Sequence, residues 1–150
     1  VCGMKDAHTE ECNPLSAHQV IHILPDQKDI QDKGATMRLG SYRCMLVAGT
    51  LAAKMYGTDQ ISERHRHRYE VNNEYREAIN KKGMVCSGIS PDYRLVEIVE
   101  IPDHPYFIAT QFHPEFKSKP LEPHPLFKAF IGASLAYREV RLAKEEHAVA

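Results

Sequence analysis

The stretch Gln-Phe-His-Pro-Glu-Phe at residues 111–116 overlaps an apolar run at 106–112 that is typical of a β-strand. Side chains two residues apart in extended backbone project to the same face, so His113 and Glu115 are predicted to lie side by side where this strand ends. A carboxylate beside an imidazole fixes the ring tautomer and stabilises the imidazolium, as a general base requires. The plainer alternative is a strand-end histidine and a solvated glutamate held by a turn at Pro114.

A second cluster, Glu-Arg-His-Arg-His-Arg-Tyr-Glu at residues 63–70, concentrates positive charge. If this segment is extended, its three arginines lie on one face and its two histidines on the other. Arginine binds carboxylates and phosphates in a bidentate way, so an anionic substrate is a reasonable ligand. The plainer alternative is a basic surface strand balanced by Glu63 and Glu70. A metal site is not favoured, because His65 and His67 lack a third ligand at a recognisable spacing and the arginines repel cations.

Strands and helices are predicted to alternate along the chain. Apolar runs indicate the strands, and helical spacing, caps and glycine terminators indicate the helices. This interleaving favours a layered α/β fold. The predicted elements are a strand at 20–24 within a polar loop, a strand at 37–47, a helix at 51–56 ended by Gly57, a helix capped by Asn73 and ended by Gly83, strands at 95–101 and 106–112, a helix from Pro125 to about Arg141, and a disordered tail at about 142–150.

The composition is that of a folded, water-exposed domain. The chain has 150 residues, of which 43% are hydrophobic and 26% charged, and its formal net charge is −1. A net charge of −1 does not attract nucleic acid or an anionic membrane. The sequence contains no run of roughly 20 apolar residues and no signal peptide. Four widely separated cysteines suit a reducing compartment, so a cytoplasmic location is expected.

The two clusters together resemble the glutamine amidotransferase domain of the CTP synthase family, a class I amidotransferase of the triad type. The segment at 63–73, at its distance from 111–116, is highly specific to this family. The similarity extends over about residues 4–135. The shared stretches are Thr-Met-Arg-Leu-Gly at 36–40, Glu-Arg-His-Arg-His-Arg-Tyr-Glu-Val-Asn-Asn at 63–73, Leu-Val-Glu-Ile at 95–98, Gln-Phe-His-Pro-Glu-Phe at 111–116 and His-Pro-Leu-Phe at 124–127.

The resemblance implies roles for particular residues. His113 corresponds to the histidine of a Cys-His-Glu triad, and Glu115 corresponds to the carboxylate that orients it. Arg68 corresponds to the residue that binds the α-carboxylate of glutamine. Glu11 corresponds by spacing to the glutamate that binds the substrate ammonium group, with Glu10 as the neighbouring alternative. No metal ligand is implied.

The resemblance also implies a fold and a reaction. The expected fold is class I glutamine amidotransferase-like, flavodoxin-like with three layers, and only partly covered by this chain. The family hydrolyses L-glutamine to glutamate and ammonia, and a separate synthetase domain then uses ATP with Mg²⁺ to aminate UTP to CTP in pyrimidine biosynthesis. GTP activates the glutaminase step, with residues 36–40 as candidates for its contacts. The family assembles as homotetramers. No cofactor is expected in this chain.

The nucleophile of the family is missing from this sequence. In the family it lies in a Gly-x-Cys-x-Gly turn between a strand and a helix. Cys2 has a single residue before it and therefore no preceding strand, and Cys44 and Cys86 are interpreted as small apolar residues. Residues 1–150 are thus expected to be the C-terminal portion of the domain, without the nucleophile turn and inactive alone.

Two other classes of function remain as alternatives. The chain could be a non-catalytic, amidotransferase-like regulatory or assembly module that kept the fold after losing its nucleophile. A nucleic-acid-binding module that uses the arginine run is disfavoured, because the net charge is −1 and no aromatic stacking motif is present.

Overall fold

Two β-sheets and three helices form the part of the chain that the computed structural model describes, residues 2–23 and 37–149. Their bounds follow the local sequence signals closely. In chain order the elements are β1 (Ala7–Thr9), β2 (His18–Ile23), β3 (Arg38–Leu46), α1 (Leu51–Tyr56), β4 (Gln60–His67), β5 (Tyr69–Val71), α2 (Arg76–Lys81), β6 (Val85–Ile89), β7 (Val96–Glu100), β8 (Ile108–Thr110) and α3 (Pro125–Val149), with 3-10 turns at Asn73–Tyr75 and Pro114–Phe116.

The chain passes directly from the larger to the smaller of its two sheets between β4 and β5. The larger sheet has the strand order β4-β3-β6-β7-β8, and each neighbouring pair is antiparallel. The smaller sheet has the order β1-β2-β5, in which β1 runs parallel and β5 antiparallel to β2. Only Arg68 separates the end of β4 in the larger sheet from the start of β5 in the smaller one. Arg68 therefore lies where the two sheets meet.

Most of the elements predicted from the sequence are confirmed. Helix α1 begins after Thr50, whose side chain accepts a hydrogen bond from the Ala53 amide at 3.2 Å, and it ends at Gly57 with a left-handed φ of 67°. The strands predicted at 37–47, 95–101 and 106–112 correspond to β3, β7 and β8, and α3 begins at Pro125 as expected. Strand β2 occupies the predicted 20–24 region, although residue 24 and the following polar loop lie outside the described residues.

The N-terminal cap predicted for the second helix is wrong by one residue. The side chain of Asn72, not Asn73, accepts a hydrogen bond from the Glu74 amide at 3.1 Å. Asn73 instead donates its side-chain amide to the carbonyl of Arg94 at 2.7 Å. The chain consequently makes a 3-10 turn first, and α2 begins only at Arg76.

Helix α3 is longer than the sequence indicated. It continues to Val149, past residue 142 where the disordered tail was expected to begin. The last turns are rich in residues with high helix propensity, and Arg141 Nε lies 3.8 Å from Glu145 Oε1 at the i,i+4 spacing that supports a helix. The helix propensity of these residues therefore keeps the last turns of α3 helical with few apolar contacts.

The apolar core lies where α1 and the start of α3 pack against the larger sheet. Cys44 and Ile98 are fully buried there, together with Ala52, Phe112 and Leu126. The packing also depends on a glycine. A Cβ atom at Gly88 would lie 2.5 Å from Ile98 Cγ1 and 2.9 Å from Cys44 Sγ.

Substitution of Gly88 by alanine is therefore expected to destabilise the protein by about 1–3 kcal/mol, because the added methyl group overpacks the core. Chemical denaturation measures the free energy of unfolding directly. The matched control is Gly132→Ala in α3, where a Cβ meets no atom within 4 Å. This control is expected to gain roughly 0.5–1 kcal/mol from helix propensity. Equal effects of the two substitutions would contradict this account of the core.

Candidate functional site

His113 and Glu115 form a hydrogen-bonded pair just beyond the end of β8. The imidazole Nδ1 lies 2.7 Å from Glu115 Oε1. The 3-10 turn at Pro114–Phe116 produces this contact, whereas the sequence predicted an extended strand at this point. The backbone amide of His113 donates to the Arg64 carbonyl of β4 at 2.9 Å, which fixes the pair against the larger sheet.

The pair has the electrostatics of a base and its orienting group. The hydrogen bond from His113 lowers the pKa of Glu115, so the carboxylate is charged at neutral pH. A charged carboxylate only accepts, and His113 Nδ1 must therefore carry the hydrogen. The Nε2 atom is left with its lone pair and is the basic atom of the ring. The Phe116 ring stacks on the imidazole at 5.0 Å between centroids and restricts its rotation.

Glu11 and Arg68 lie on the wall of one cavity. The cavity has a volume of about 440 Å³ and lies at the crossing between the two sheets. It therefore presents a carboxylate and a guanidinium to the same space, an arrangement that suits a zwitterionic ligand. The lining residues are Thr9, Glu11, Ile21, Met37, Arg66, His67, Arg68 and Tyr69.

The neighbouring Glu10 has a different environment. Its Oε2 accepts a hydrogen bond from the Ile23 amide at 2.8 Å, so this carboxylate stabilises the end of β2. Glu11 is exposed and faces the cavity, and its amide donates to the Thr9 hydroxyl at 3.3 Å. Of the two glutamates, Glu11 is thus the one available to a ligand in the cavity.

A buried ionic contact lies next to this cavity. The guanidinium of Arg38 donates to both oxygens of Glu97 at 2.7 and 3.1 Å and to Glu70 Oε1 at 3.3 Å. All three residues are at most 9% exposed. Arg38 and Glu97 belong to the larger sheet and Glu70 to the smaller one, so the contact joins the two sheets beside Arg68. This contact of Arg38 with Glu97 and Glu70 is not predicted from the sequence.

Two histidines lie next to the ionic contact. His65 Nδ1 is 2.8 Å from His67 Nε2, and His67 Nδ1 is 3.1 Å from the carbonyl oxygen of Tyr69. Burial, followed by the positive charge of Arg38, lowers the pKa of His65 to about 3. Burial also lowers the pKa of His67 to about 4, against the opposing effect of its bond to the Tyr69 carbonyl. Both rings are therefore neutral at pH 7. A positive charge on His113 would lower both pKa values further.

The interpretation of Glu63 and Glu70 as surface counter-charges is wrong, because each is only 1% exposed. Glu63 Oε1 lies 3.1 Å from His124 Nε2 and accepts from the Tyr56 hydroxyl at 3.2 Å. Burial raises the pKa of Glu70 to about 7, although Arg38 opposes this shift. The period-2 alternation of β4 could have revealed the buried Glu63, since every second residue of that strand faces inward. Glu70 lies in β5, outside this alternation.

The three arginines of the segment do not share one face. Arg64 and Arg66 are exposed on β4, but the strand ends at His67. Arg68 lies in the bend beyond it and is half-buried. The histidines do point inward as the alternation predicted, with His65 buried and His67 half-buried.

The buried cysteines are poor nucleophiles. Burial raises the pKa of Cys44 to about 12 and also raises that of Cys86, so neither is a thiolate at neutral pH. Among residues 2–23 and 37–149, no group of three histidine, cysteine, aspartate or glutamate side chains could hold a metal ion. None of the helices in the same ranges is long and apolar enough to span a bilayer.

Comparison with known proteins identifies the class of protein that this fold and site define. The profile of the family "Glutamine amidotransferase class-I" matches residues 10–133. The chain therefore belongs to the class I glutamine amidotransferases. Within that class its sequence is similar to CTP synthases: it is 62% identical over 135 residues to the CTP synthase of Carboxydothermus hydrogenoformans and 58% identical over 135 residues to that of Caldanaerobacter subterraneus subsp. tengcongensis.

Both alignments cover 90% of this chain and 25% of the relative, so the chain spans a quarter of the length of these CTP synthases. The structure is similar to the glutaminase domain of Trypanosoma brucei CTPS, solved with bound acivicin. The TM-score is 0.82 at 39% sequence identity, over 91% of this chain and 53% of that one. The resemblance and the α/β amidotransferase fold predicted from the sequence are thereby confirmed.

The histidine pair predicts how stability depends on pH. Below its ordinary pKa of 6.5 each histidine takes up a proton in the unfolded chain but stays neutral in the fold until about pH 4 or 3, so stability falls as the pH decreases from 6.5. Glu70 acts oppositely: with its pKa raised from 4.5 to about 7, its contribution is lost as the pH rises through 7. The combined contribution of His65 and His67 to the pH dependence of stability is larger than the opposing contribution of Glu70.

The free energy of unfolding at pH 5 is therefore expected to be about 2 kcal/mol below its value at pH 7. Urea denaturation at the two pH values measures this difference. The double substitution His65→Asn with His67→Asn is expected to reverse the sign of this difference, because Glu70 alone then makes the protein more stable at pH 5 than at pH 7, whereas His104→Asn in the exposed turn before β8 leaves it unchanged. A wild-type protein that is equally stable at both pH values would refute the assignment of two neutral buried histidines.

Proposed function

We propose that this chain provides the His–Glu pair and the glutamine-binding residues of a CTP synthase glutaminase site. The observation that carries the proposal is the hydrogen bond of 2.7 Å between His113 and Glu115. The His113 amide binds the Arg64 carbonyl of β4, the strand whose end lines the cavity with Glu11 and Arg68. Identities of 58% and 62% to CTP synthases over 90% of the chain support the choice of this reaction among those of the family.

In the proposed reaction, His113 acts as the base. Its Nε2 takes the proton from a cysteine thiol contributed by another part of the domain, and the thiolate attacks the side-chain amide carbon of glutamine. The carbon–nitrogen bond breaks, and the leaving nitrogen takes the proton from Nε2 and departs as ammonia. Water then attacks the glutamyl thioester, gives a proton to His113, and releases glutamate with the regenerated thiol. Glu115 stabilises the imidazolium that forms in each half of the cycle.

Glu11 and Arg68 hold the substrate in this proposal. A glutamine molecule carries an α-carboxylate and an α-ammonium group, which match the guanidinium of Arg68 and the carboxylate of Glu11 respectively. Binding both groups leaves the side-chain amide free to reach the reacting residues. The neutral His67 on the same wall adds no charge that would compete for either group.

The rest of the proposed reaction takes place outside this chain. Ammonia passes to a synthetase domain that aminates UTP to CTP with ATP and Mg²⁺, and GTP activates the glutaminase step, with residues 36–40 as candidate contacts. The whole enzyme is proposed to be a cytoplasmic homotetramer.

A chain with no available nucleophile is expected to be inactive alone, because a base and its orienting group do not replace the thiol. Purified residues 1–150 are therefore expected to release no ammonia from glutamine above the rate of a His113→Ala variant. A glutamate dehydrogenase-coupled assay detects the product. Ammonia release that His113→Ala abolishes would contradict this expectation and would make one of the four cysteines the nucleophile.

In the full-length enzyme, Arg68→Ala is expected to raise KM for glutamine by about 10–100-fold, since a charge-assisted bidentate contact contributes about 1.5–3 kcal/mol. CTP formation from free ammonia is expected to stay within about 2-fold of wild type, because ammonia bypasses the glutamine site. Arg64→Ala, on the exposed part of β4 and outside the cavity, is the matched control. Parallel loss of both activities in Arg68→Ala would indicate a structural role and count against the proposal.

The same two assays address a non-catalytic regulatory or assembly module. Such a module keeps the fold but has no use for the charge pair in the cavity, so neither Arg68→Ala nor Glu11→Ala changes an activity of the whole protein. Buried, protonated Cys44 and Cys86 are the observation that favours this alternative. Glutamine-dependent CTP formation by the full-length protein would exclude it.

A further inference from the structure

We propose that His67 is a positioning residue, which holds the bend at Arg68 and thereby keeps the arginine directed into the glutamine cavity. This inference rests on the proposed function, because it assigns a role to the support of the same site. It concerns a residue that touches no reacting atom. Three features of the structure lead to it.

The first feature is the geometry of the crossing. Arg68 is the single residue between β4 and β5 and belongs to neither strand. His67 Nδ1 lies 3.1 Å from the carbonyl oxygen of Tyr69, so this hydrogen bond spans Arg68 from one side to the other. It closes a small ring that contains the backbone of residue 68. The bond therefore restrains the backbone between the two strands at Arg68.

The second feature is the direction of the hydrogen bonds. A carbonyl oxygen only accepts, so His67 Nδ1 carries the hydrogen in its bond to Tyr69. In the neutral ring His67 Nε2 is then an acceptor, and it receives the hydrogen of His65 Nδ1 at 2.8 Å. His65 Nε2 is consequently a bare acceptor, which agrees with the lack of a hydrogen-bond partner for this buried atom within the described residues. The two rings form one directed chain that ends at the Tyr69 carbonyl.

The third feature is the surroundings, which keep the chain neutral. From β3 the Arg38 guanidinium disfavours a second positive charge, and from beyond β8 His113 does the same. The carboxylates that face the rings are Glu97 of β7, at 3.9 Å from His65 Nδ1, and Glu70 of β5, at 3.5 Å from His67 Nδ1. Both of these carboxylates bind Arg38. The negative charge of Glu97 and Glu70 is therefore compensated by Arg38, and the two histidines stay neutral.

Protonation of His67 would reverse the direction of the bond between the rings. A hydrogen on His67 Nε2 keeps the contact of 2.8 Å only if His65 moves its own hydrogen from Nδ1 to Nε2. The donation from His67 Nδ1 to the Tyr69 carbonyl is possible in both states. The ring of His65 is itself held by edge contacts with Tyr42 and Phe112, at 5.4 and 5.8 Å between centroids. The support of Arg68 thus extends from the apolar core to the cavity wall.

The test compares two substitutions in the full-length enzyme. His67→Phe keeps the ring volume but cannot donate to the Tyr69 carbonyl, whereas the side-chain amide of His67→Asn can replace the Nδ1 hydrogen. His67→Phe is expected to raise KM for glutamine about 10-fold, the equivalent of about 1.4 kcal/mol, with ammonia-dependent CTP formation within about 2-fold of wild type. His67→Asn is expected to restore KM to within about 3-fold, and His104→Phe serves as the control.

The outcomes separate this inference from the proposed function. If the wild-type enzyme shows no glutamine-dependent activity, the proposed function fails. If the wild type is active but His67→Phe has a normal KM, or loses the ammonia-dependent activity in parallel, the positioning role is overturned. An equal defect in His67→Asn and His67→Phe also overturns it.

A second measurement needs no substitution. Nitrogen-15 NMR of the imidazole rings distinguishes the two neutral tautomers and the charged form. At pH 7 both His65 and His67 are expected to be neutral with the hydrogen on Nδ1. A charged ring, or a hydrogen on Nε2 of His67, would contradict the directed chain.

Discussion

A buried arginine holds the two sheets of this protein together. Arg38 donates to Glu97 within the larger sheet and to Glu70 in the smaller one, at distances of 2.7 to 3.3 Å. Removing these charges from water is unfavourable by several kcal/mol per ion, and only a well-formed, hydrogen-bonded arrangement offsets that loss. Loss of any one partner would leave an uncompensated buried charge. The relative position of the sheets, and with it the cavity at Arg68, therefore depends on this contact.

The candidate site lies next to this contact and has two parts. At the crossing of the sheets, Glu11 and Arg68 present opposite charges to one cavity, as a zwitterionic amino acid requires. Beyond β8, a short turn brings Glu115 to His113 and leaves the Nε2 atom basic. Both places are attached to β4, one through its terminal bend and the other through the Arg64 carbonyl. A single strand thus sets the separation between the two places proposed for substrate recognition and proton transfer.

Local signals in the sequence predicted α1, α3 and the strands β2, β3, β7 and β8, because a capping threonine at 50, a glycine at 57 and apolar runs act over a few residues. The short strands β1, β5 and β6 were not predicted from the sequence. The contact between Arg38 and Glu97 joins residues far apart in the chain and depends on strand order, which no local pattern contains. Burial of Glu70 was missed for the same reason, since an acidic residue beside arginines suggests a surface pair. The roles of Arg68 and Glu11 came from family resemblance alone, because the pattern of the residues did not single out either one.

The central claim is that the cavity and the His–Glu pair belong to one glutaminase site. The most direct measurement is a crystal structure of the full-length protein after reaction with an electrophilic glutamine analogue that alkylates the nucleophile. The account predicts the analogue's α-carboxylate at about 3 Å from the Arg68 guanidinium, its ammonium at a similar distance from Glu11, and the alkylated sulfur within hydrogen-bond reach of His113 Nε2. An analogue bound with its α-carboxylate away from Arg68, or a modified sulfur remote from His113, would contradict it.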